Sequence, residues 1–158
     1  MKVFYREFKL EDLGTWERLA QPEFRKEDFC DADYLSKHWD KINGWVLLDE
    51  SGEWIGCCFL DFRDHSDIGN AGGVNFLEQC IFPKYRGRGY SKYIAKIRFD
   101  NSKGFQKSVC IDPKNAASIA VAKKYGFKRS HSERSWDIYI CDAVHYPAEL
   151  ETLEIFSA

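Results

Sequence analysis

The stretch from Glu78 to Lys96 reads EQCIFPKYRGRGYSKYIAK and decides the fold. Its first residues predict a strand that stops at Pro83, and the apolar spacing at its end predicts an amphipathic helix. Between them lies a turn with two glycines, which accept backbone angles closed to other residues: Arg86-Gly87-Arg88-Gly89-Tyr90-Ser91. Strand, turn and helix together predict backbone N–H groups that bind a pyrophosphate, to which the two arginines add charge. The alternative is a basic turn without a ligand, since short glycine motifs also match by chance.

The composition is that of a globular protein with an ordinary core. The chain has 158 residues, 44% of them apolar and 30% charged, which predicts one domain over residues 1–158 with a tail at 142–158. A formal net charge of −2 argues against nucleic acid as a partner. There is no apolar run of about 18 residues, and charges are scattered through the N-terminus. We therefore expect a cytoplasmic protein that does not act at a membrane.

The cysteines and histidines show no metal-binding pattern. None of the six cysteines forms a C-x-x-C pair, and no Cys/His cluster has zinc spacing, so we expect no metal. Most of the cysteines lie in apolar runs typical of strands, which predicts buried, reduced thiols. The four histidines belong to no recognisable motif.

Hydrophobic periodicity predicts an α/β chain with a mixed sheet and helices on its faces. A strand at Val3–Phe8 precedes two helices, the second of which is expected to be closed by Asn43-Gly44. Predicted strands follow at 45–48, 54–62 and 74–82, then the helix after the glycine turn, a strand at 106–111 and a helix at 116–125. A hairpin at 128–141 ends the sheet, and the tail is expected to form a short helix against the body.

Two separated motifs make the chain resemble the GCN5-related N-acetyltransferases, the GNAT superfamily. The acyl-CoA loop of that family stands here as Arg86 to Ser91, after a strand. A later helix carries the asparagine, the small residue and the Gly-Phe pair of the family, here Asn115, Ser118 and Gly126-Phe127. The resemblance implies a mostly antiparallel sheet of about seven strands. It also implies an enzyme that transfers an acetyl group from acetyl-CoA to a primary amine.

The resemblance further implies where acetyl-CoA binds. The loop amides would hold the pyrophosphate, which assigns Arg86, Gly87, Arg88, Gly89, Tyr90 and Ser91. The pantetheine arm would lie along the preceding strand end near Gln79 and Ile81, with Asn115 beside it. The physics agrees, because a helix N-terminus suits a pyrophosphate and an open strand edge offers backbone partners to an amide-rich arm.

The chain departs from the family pattern at two positions. Ser91 replaces the usual glycine or alanine, which is a small change. Ala122 stands where many members carry a tyrosine that protonates the departing thiolate. Tyr125 is three residues further on, roughly 300° around the helix, and is expected to pack in the core. Another tyrosine, a cysteine thiol or water would have to supply the proton.

Glu78 is the candidate catalytic base. The acceptor amine is cationic at neutral pH and must lose a proton before it attacks, and a carboxylate can take that proton directly or through water. Family members often carry an acidic residue at this place, and in some it serves as the base. The alternative is a carboxylate that binds the charge of the amine or bonds structural groups.

No motif identifies the acceptor, which could be a small molecule or a peptide amine. The first two helices offer aromatic and acidic side chains that would suit a cation. Aromatic content and hairpin edges are compatible with a homodimer. A non-catalytic acyl-CoA-binding module of the same fold is the alternative function, and Ala122 is the feature that favours it.

Overall fold

The computed structural model describes residues 1–158 and contains one eight-stranded sheet. Its strands are β1 (Phe4–Glu7), β2 (Ile42–Leu48), β3 (Trp54–Asp61), β4 (Val74–Ile81), β5 (Lys107–Ile111), β6 (Lys128–Glu133), β7 (Trp136–Cys141) and β8 (Phe156–Ser157). The α-helices are α1 (Leu13–Ala20), α2 (Ala32–Lys37), α3 (Ser91–Asp100), α4 (Ala116–Lys124) and α5 (Ala148–Glu151). The strand order is β6-β7-β5-β4-β3-β2-β1-β8, and only the pairs β4–β5 and β1–β8 are parallel. The predicted mixed, mostly antiparallel sheet is confirmed.

Helices cover both faces of the sheet and form two separate cores. The α3 layer, made of α3, α4 and α5, buries Ile94, Phe99 and Leu150 against one face. The α1 layer, made of α1 and α2, buries Trp16 and Leu35 against the other. Any group that passes from one layer to the other must therefore cross the sheet. No helix combines the length and the apolar character that a membrane span requires.

The prediction that Asn43-Gly44 closes a helix is wrong. The helix α2 ends at Lys37, and both residues lie inside β2, which begins at Ile42. Gly44 is needed there for packing, because a Cβ at this position would lie 2.6 Å from ring atoms of Phe59. A glycine that admits a neighbouring ring into a strand looks the same in sequence as one that ends a helix.

The C-terminal tail contributes the eighth strand. As expected, it forms a short helix, α5, whose Leu150 is fully buried. It then continues into β8, which pairs in parallel with Phe4 and Tyr5 of β1. The predicted count of about seven strands is one too low, because a strand of two residues has no periodicity that a sequence could show.

The Gly-Phe pair after α4 has a specific packing reason. Gly126 adopts a left-handed φ of 94°, and Phe127 beyond it is buried. The ring of His145 bonds through Nε2 to the carbonyl of Tyr125 at 3.1 Å. A Cβ on Gly126 would lie 2.3 Å from that nitrogen. Glycine is therefore required both for the backbone angle and for the histidine that caps the helix end.

We expect Gly126→Ala to lower the free energy of unfolding by about 2–3 kcal/mol. The left-handed angle costs an alanine about 1 kcal/mol, and displacing His145 loses a hydrogen bond worth about 1 kcal/mol more. The control is Gly104→Ala, at a φ of 85° with nothing within 4 Å of the added Cβ, which should cost about 1 kcal/mol. Urea unfolding measures both, and equal losses would show that His145 plays no part.

Candidate active site

The candidate site is a cleft that opens where β4 and β5 separate. The two strands pair only at Val74–Lys107 and Asn75–Ser108, and beyond these residues they diverge. The cleft between them has a volume of about 670 Å³. Its walls include Phe24 and Cys30 from the side of the α1 layer as well as side chains of α3 and α4. The cleft therefore connects the two faces of the sheet.

A β-bulge in β4 sets the direction in which Glu78 points. Cys58 pairs with Gln79 and Leu60 pairs with Phe76, so that two residues of β4, Leu77 and Glu78, oppose one residue of β3. Phe76 packs in the core of the α3 layer, whereas Leu77 packs with the α1 layer. Strict alternation would return Glu78 to the α3 layer. The extra residue keeps it on the side of the α1 layer instead, which is how bulges re-aim side chains.

One oxygen of the Glu78 carboxylate accepts a hydrogen bond, and the other has no partner. Oε1 accepts the backbone N–H of Cys30 at 2.9 Å, and the Cys30 thiol lies beside the same carboxylate. Oε2 is buried without a partner. Burial raises the pKa of Glu78 from 4.5 to about 7, and the contacts with Cys30 oppose that rise. The group is thus poised to gain or lose a proton at neutral pH.

The glycine turn presents a row of unpaired amides. Gly87 and Gly89 have φ values of 73° and 81°, with open space where a Cβ would stand. The N–H groups from Gly87 to Lys92 donate no hydrogen bond within the protein. Tyr90 anchors the turn, since its ring is buried and its hydroxyl donates to the sulfur of Met1 at 3.0 Å. This turn and the N-terminus of α3 form the predicted nest for an anion.

The two arginines of the turn are placed differently. Arg86 donates from Nε to the carbonyl of Ile81 at 2.8 Å and pairs with Glu23 at 2.6 Å. It therefore ties the turn to the end of β4 and to the loop after α1. Arg88 is exposed and forms no hydrogen bond or ion pair within the protein, so its charge is free for a ligand. Ser91, which also lines the cleft, begins α3.

Of the remaining predicted residues, Gln79 and Asn115 line the cleft, whereas Ile81 does not. Asn115 caps α4 by accepting the amide of Ser118 at 3.1 Å, as its position before a helix predicts. Gln79 accepts a hydrogen bond from Arg98 through Oε1. Ala122 faces the cleft without a hydroxyl, while Tyr125 is buried against Phe99 as well as lining it. No group of three or more His, Cys, Asp or Glu side chains is arranged to hold a metal ion.

Arginines pair with the acidic side chains at the mouth of the cleft. Besides the pair formed by Glu23, Arg25 binds Asp28 and reaches Asp112 at 3.5 Å. The segment after α1 is therefore linked to the β4 side by one ion pair and to the β5 side by another. Glu78 remains as the one acidic side chain of the cleft without an ion pair.

Sequence reasoning missed two residues of the site. Cys30 lies in a polar segment, and only the fold brings its amide to Glu78. Arg98 is 8% exposed and projects from α3 into the cleft. A signal for Arg98 was available, because it follows Ile94 by four residues and so shares the buried face of the helix.

The family is decided by a sequence comparison. A family model described as an acetyltransferase (GNAT) domain matches residues 2–128, which is most of the chain. The chain belongs to the GNAT acetyltransferase family. This protein is accordingly an acyltransferase, and the resemblance drawn from its two motifs is confirmed. No curated protein sequence gives a significant match.

Solved structures of other N-acetyltransferases share the fold of this acetyltransferase. A mutant of spermidine N-acetyltransferase SpeG from Vibrio cholerae superposes with a TM-score of 0.65 at 14% identity, over 88% of this chain and 91% of that one. PaiA N-acetyltransferase from Thermoplasma acidophilum, in complex with coenzyme A, gives 0.65 at 16% identity over 90% and 99%. The V. cholerae spermidine enzyme with CoA and spermine superposes with a TM-score of 0.65 at 16% identity, over 88% of this chain and 93% of that one. At these identities the likeness concerns the fold.

Because the pKa of Glu78 is raised, replacing its carboxyl group by a neutral amide should change the stability of the protein by an amount that depends on pH. The folded protein binds this proton more tightly than the unfolded chain, so the stability from Glu78 is full below pH 4.5 and is lost as the pH rises through about 7. The unfolding free energy of Glu78→Gln, relative to wild type, should therefore increase by about 3 kcal/mol between about pH 4 and about pH 8.

Chemical denaturation across this pH range measures the difference. Glu53→Gln is the control, because Lys84 holds the pKa of the exposed Glu53 below its usual range and reverses the sign. A difference for Glu78→Gln that stays constant with pH would show that its carboxyl titrates normally.

Proposed function

We propose that this acetyltransferase transfers the acetyl group of acetyl-CoA to a primary amine by direct attack, with Glu78 as the general base. The observation that carries the proposal is the Glu78 carboxylate itself. It lies in the cleft on a bulge, it has one buried oxygen without a partner, and its pKa is raised to about 7. A base of that pKa is well matched to proton transfer at neutral pH.

The residues present fit a coenzyme A molecule. The free amides from Gly87 to Lys92, at the positive end of the α3 dipole, would bind the pyrophosphate, and Arg88 would add charge. The pantetheine arm would follow the end of β4 from Gln79, which lines the cleft near Asn115, toward Ile81, whose carbonyl is bonded to Arg86. The cofactor supplies the thioester that is cleaved. The two structural neighbours with CoA bound support this assignment.

The cleft provides an approach from both faces of the sheet. The nest lies at the N-terminus of α3, whereas Glu78 and Cys30 point to the α1 layer. The donor would therefore enter beside α3 and the acceptor beside α1. When both reactants are bound in one passage, the bimolecular reaction becomes effectively unimolecular. This proximity supplies much of the rate of acetyl transfer.

The acceptor is proposed to be a small-molecule or peptide primary amine. Glu78 is the acid that an ammonium group would meet in the cleft, since the others are already paired with arginines. Phe24 lines the same passage and would contact the carbon chain of the acceptor. The spermidine named for the V. cholerae neighbours falls within this class, and a panel of amines that includes polyamines and peptide amines would identify the acceptor.

We expect Glu78→Gln to lower kcat about 10²–10⁴-fold at neutral pH and to leave the Kd for acetyl-CoA nearly unchanged. Gln keeps the shape of the side chain but cannot accept the proton. The wild-type rate should rise with pH through about 7, the pKa of Glu78. Thiol release from acetyl-CoA with the best amine of the panel measures the rate, and Glu53→Gln is the control. Unchanged turnover in Glu78→Gln would exclude this residue as the base.

We expect Arg88→Ala to weaken CoA binding about fivefold to tenfold at low salt, because a free guanidinium near a phosphate contributes about 1 kcal/mol. The loss should shrink at high salt, where exposed charges are screened. The matched control is Arg18→Ala, an exposed arginine of α1. Calorimetric titration with CoA measures both, and equal affinities for the two variants would show that Arg88 does not contact the ligand.

A further inference from the structure

Arg98 is a buried cation without a negative partner. Its side chain is in the α3 layer and lines the cleft, and the residue is 8% exposed. One terminal nitrogen donates to the carbonyl of Leu77 at 3.1 Å, and the other donates to Oε1 of Gln79. Nε is buried and donates to nothing. Arg98 forms no ion pair, and its charge lies over the buried ring of Phe76, with Cζ 4.5 Å from the ring centroid.

This arrangement is costly unless a ligand completes it. A buried charge is expensive when no opposite charge accompanies it, and burial lowers the pKa of Arg98 to about 10. The side chain nevertheless stays protonated at neutral pH. A neutral amide could make the two hydrogen bonds to Leu77 and Gln79, and the contact with the Phe76 ring offsets only part of the cost of a buried charge. A negative charge that appears in the cleft during the reaction would account for the cation.

Arg98 and Glu78 lie on opposite faces of β4. The residues that it bonds, Leu77 and Gln79, are the two neighbours of Glu78 in β4. Glu78 points toward the α1 layer, whereas the guanidinium approaches from the α3 layer. Ala122 lines the same cleft from α4 and offers no hydroxyl. In the proposed reaction the base would thus lie on the acceptor side, and the cation on the side from which the donor enters.

We propose that Arg98 stabilises the thiolate of the departing coenzyme A and thereby takes the role that a proton donor at position 122 would otherwise fill. The proposal rests on the proposed function, because it requires acetyl-CoA in this cleft. Glu78 first takes the proton of the ammonium group and returns it to water. The neutral amine nitrogen then forms a bond to the acetyl carbon, and its second proton passes to Glu78. The carbon–sulfur bond breaks, the sulfur keeps the electron pair beside the guanidinium, and the thiolate takes a proton from water after release.

The test measures the thiol pKa of bound coenzyme A rather than catalysis. Thiolate absorbance is followed while CoA bound to the full-length protein is titrated with base, with CoA alone as the reference. We expect wild type to lower the thiol pKa by at least about 1 unit, which corresponds to about tenfold in thiolate stabilisation. Arg98→Met should return the pKa to the value of the free thiol. Arg98→Lys, which keeps the charge, should retain part of the shift.

Three comparisons separate this role from a structural one. Desulfo-CoA lacks the thiol, so Arg98→Met should bind it as wild type does, even though it binds CoA about tenfold more weakly at a pH well above the pKa of the free thiol, where the ligand is a thiolate. Arg18→Met, at an exposed arginine of α1, should keep the lowered thiol pKa. Circular dichroism checks that the variants fold, because Arg98→Met removes the donor to Leu77 and Gln79, whereas Arg98→Lys keeps a donor at this place.

The outcomes are distinct. A bound thiol with the pKa of free CoA in wild type, or the same lowered pKa in Arg98→Met, would overturn the role of Arg98. An equal loss of CoA and desulfo-CoA affinity in Arg98→Met would assign this residue to the architecture of β4 and overturn it as well. If wild type bound no CoA at all, the proposed function itself would be wrong, and this inference with it.

Discussion

The separation of β4 from β5 is the constraint on which the rest of the site depends. Parallel strands normally satisfy each other's backbone groups along their length, but these two do so only as far as Asn75 and Ser108. Beyond that point the exposed edge of β4 needs other partners, because buried polar groups are rarely left unpaired. Arg98 supplies one by bonding the Leu77 carbonyl. The same opening creates the passage between the two helical layers.

The bulge in β4 turns this opening into an asymmetric site. It places Leu77 and Glu78 on the same face, so the carboxylate meets the amide of Cys30 in the α1 layer. The guanidinium of Arg98 stays in the α3 layer, bonded to the two flanking residues. Acid and cation are therefore separated by the strand and do not neutralise each other. If they formed an ion pair, the pKa of Glu78 would fall and the carboxylate would neutralise the charge of Arg98.

Local backbone requirements were readable from the sequence, and tertiary contacts were not. The glycine turn and the Asn115 cap depend on residues next to each other in the chain, so their patterns predict them directly. Glu78 was predicted as the base because it precedes that turn on the same strand and matches an acidic position of the family, and this role stays a prediction. The bulge that aims it, the amide of Cys30 and the ion pair of Arg86 with Glu23 depend on packing between distant segments. The helix end predicted at Asn43-Gly44 was wrong for the same reason, because Gly44 is required in β2 by its contact with the ring of Phe59.

Replacing a hydroxyl acid by a cation changes how protons move through the proposed reaction. A tyrosine at position 122 would hand its own proton to the sulfur and would need to recover one before the next cycle. A guanidinium transfers nothing, so the only protein group that changes protonation is Glu78. Because the pKa of Glu78 is about 7, it can take the proton of the amine and return it to water at neutral pH without a large energetic step in either direction. In the proposed reaction, the raised pKa of Glu78 and the charge of Arg98, which has no ion pair, would together replace the proton donor that Ala122 lacks.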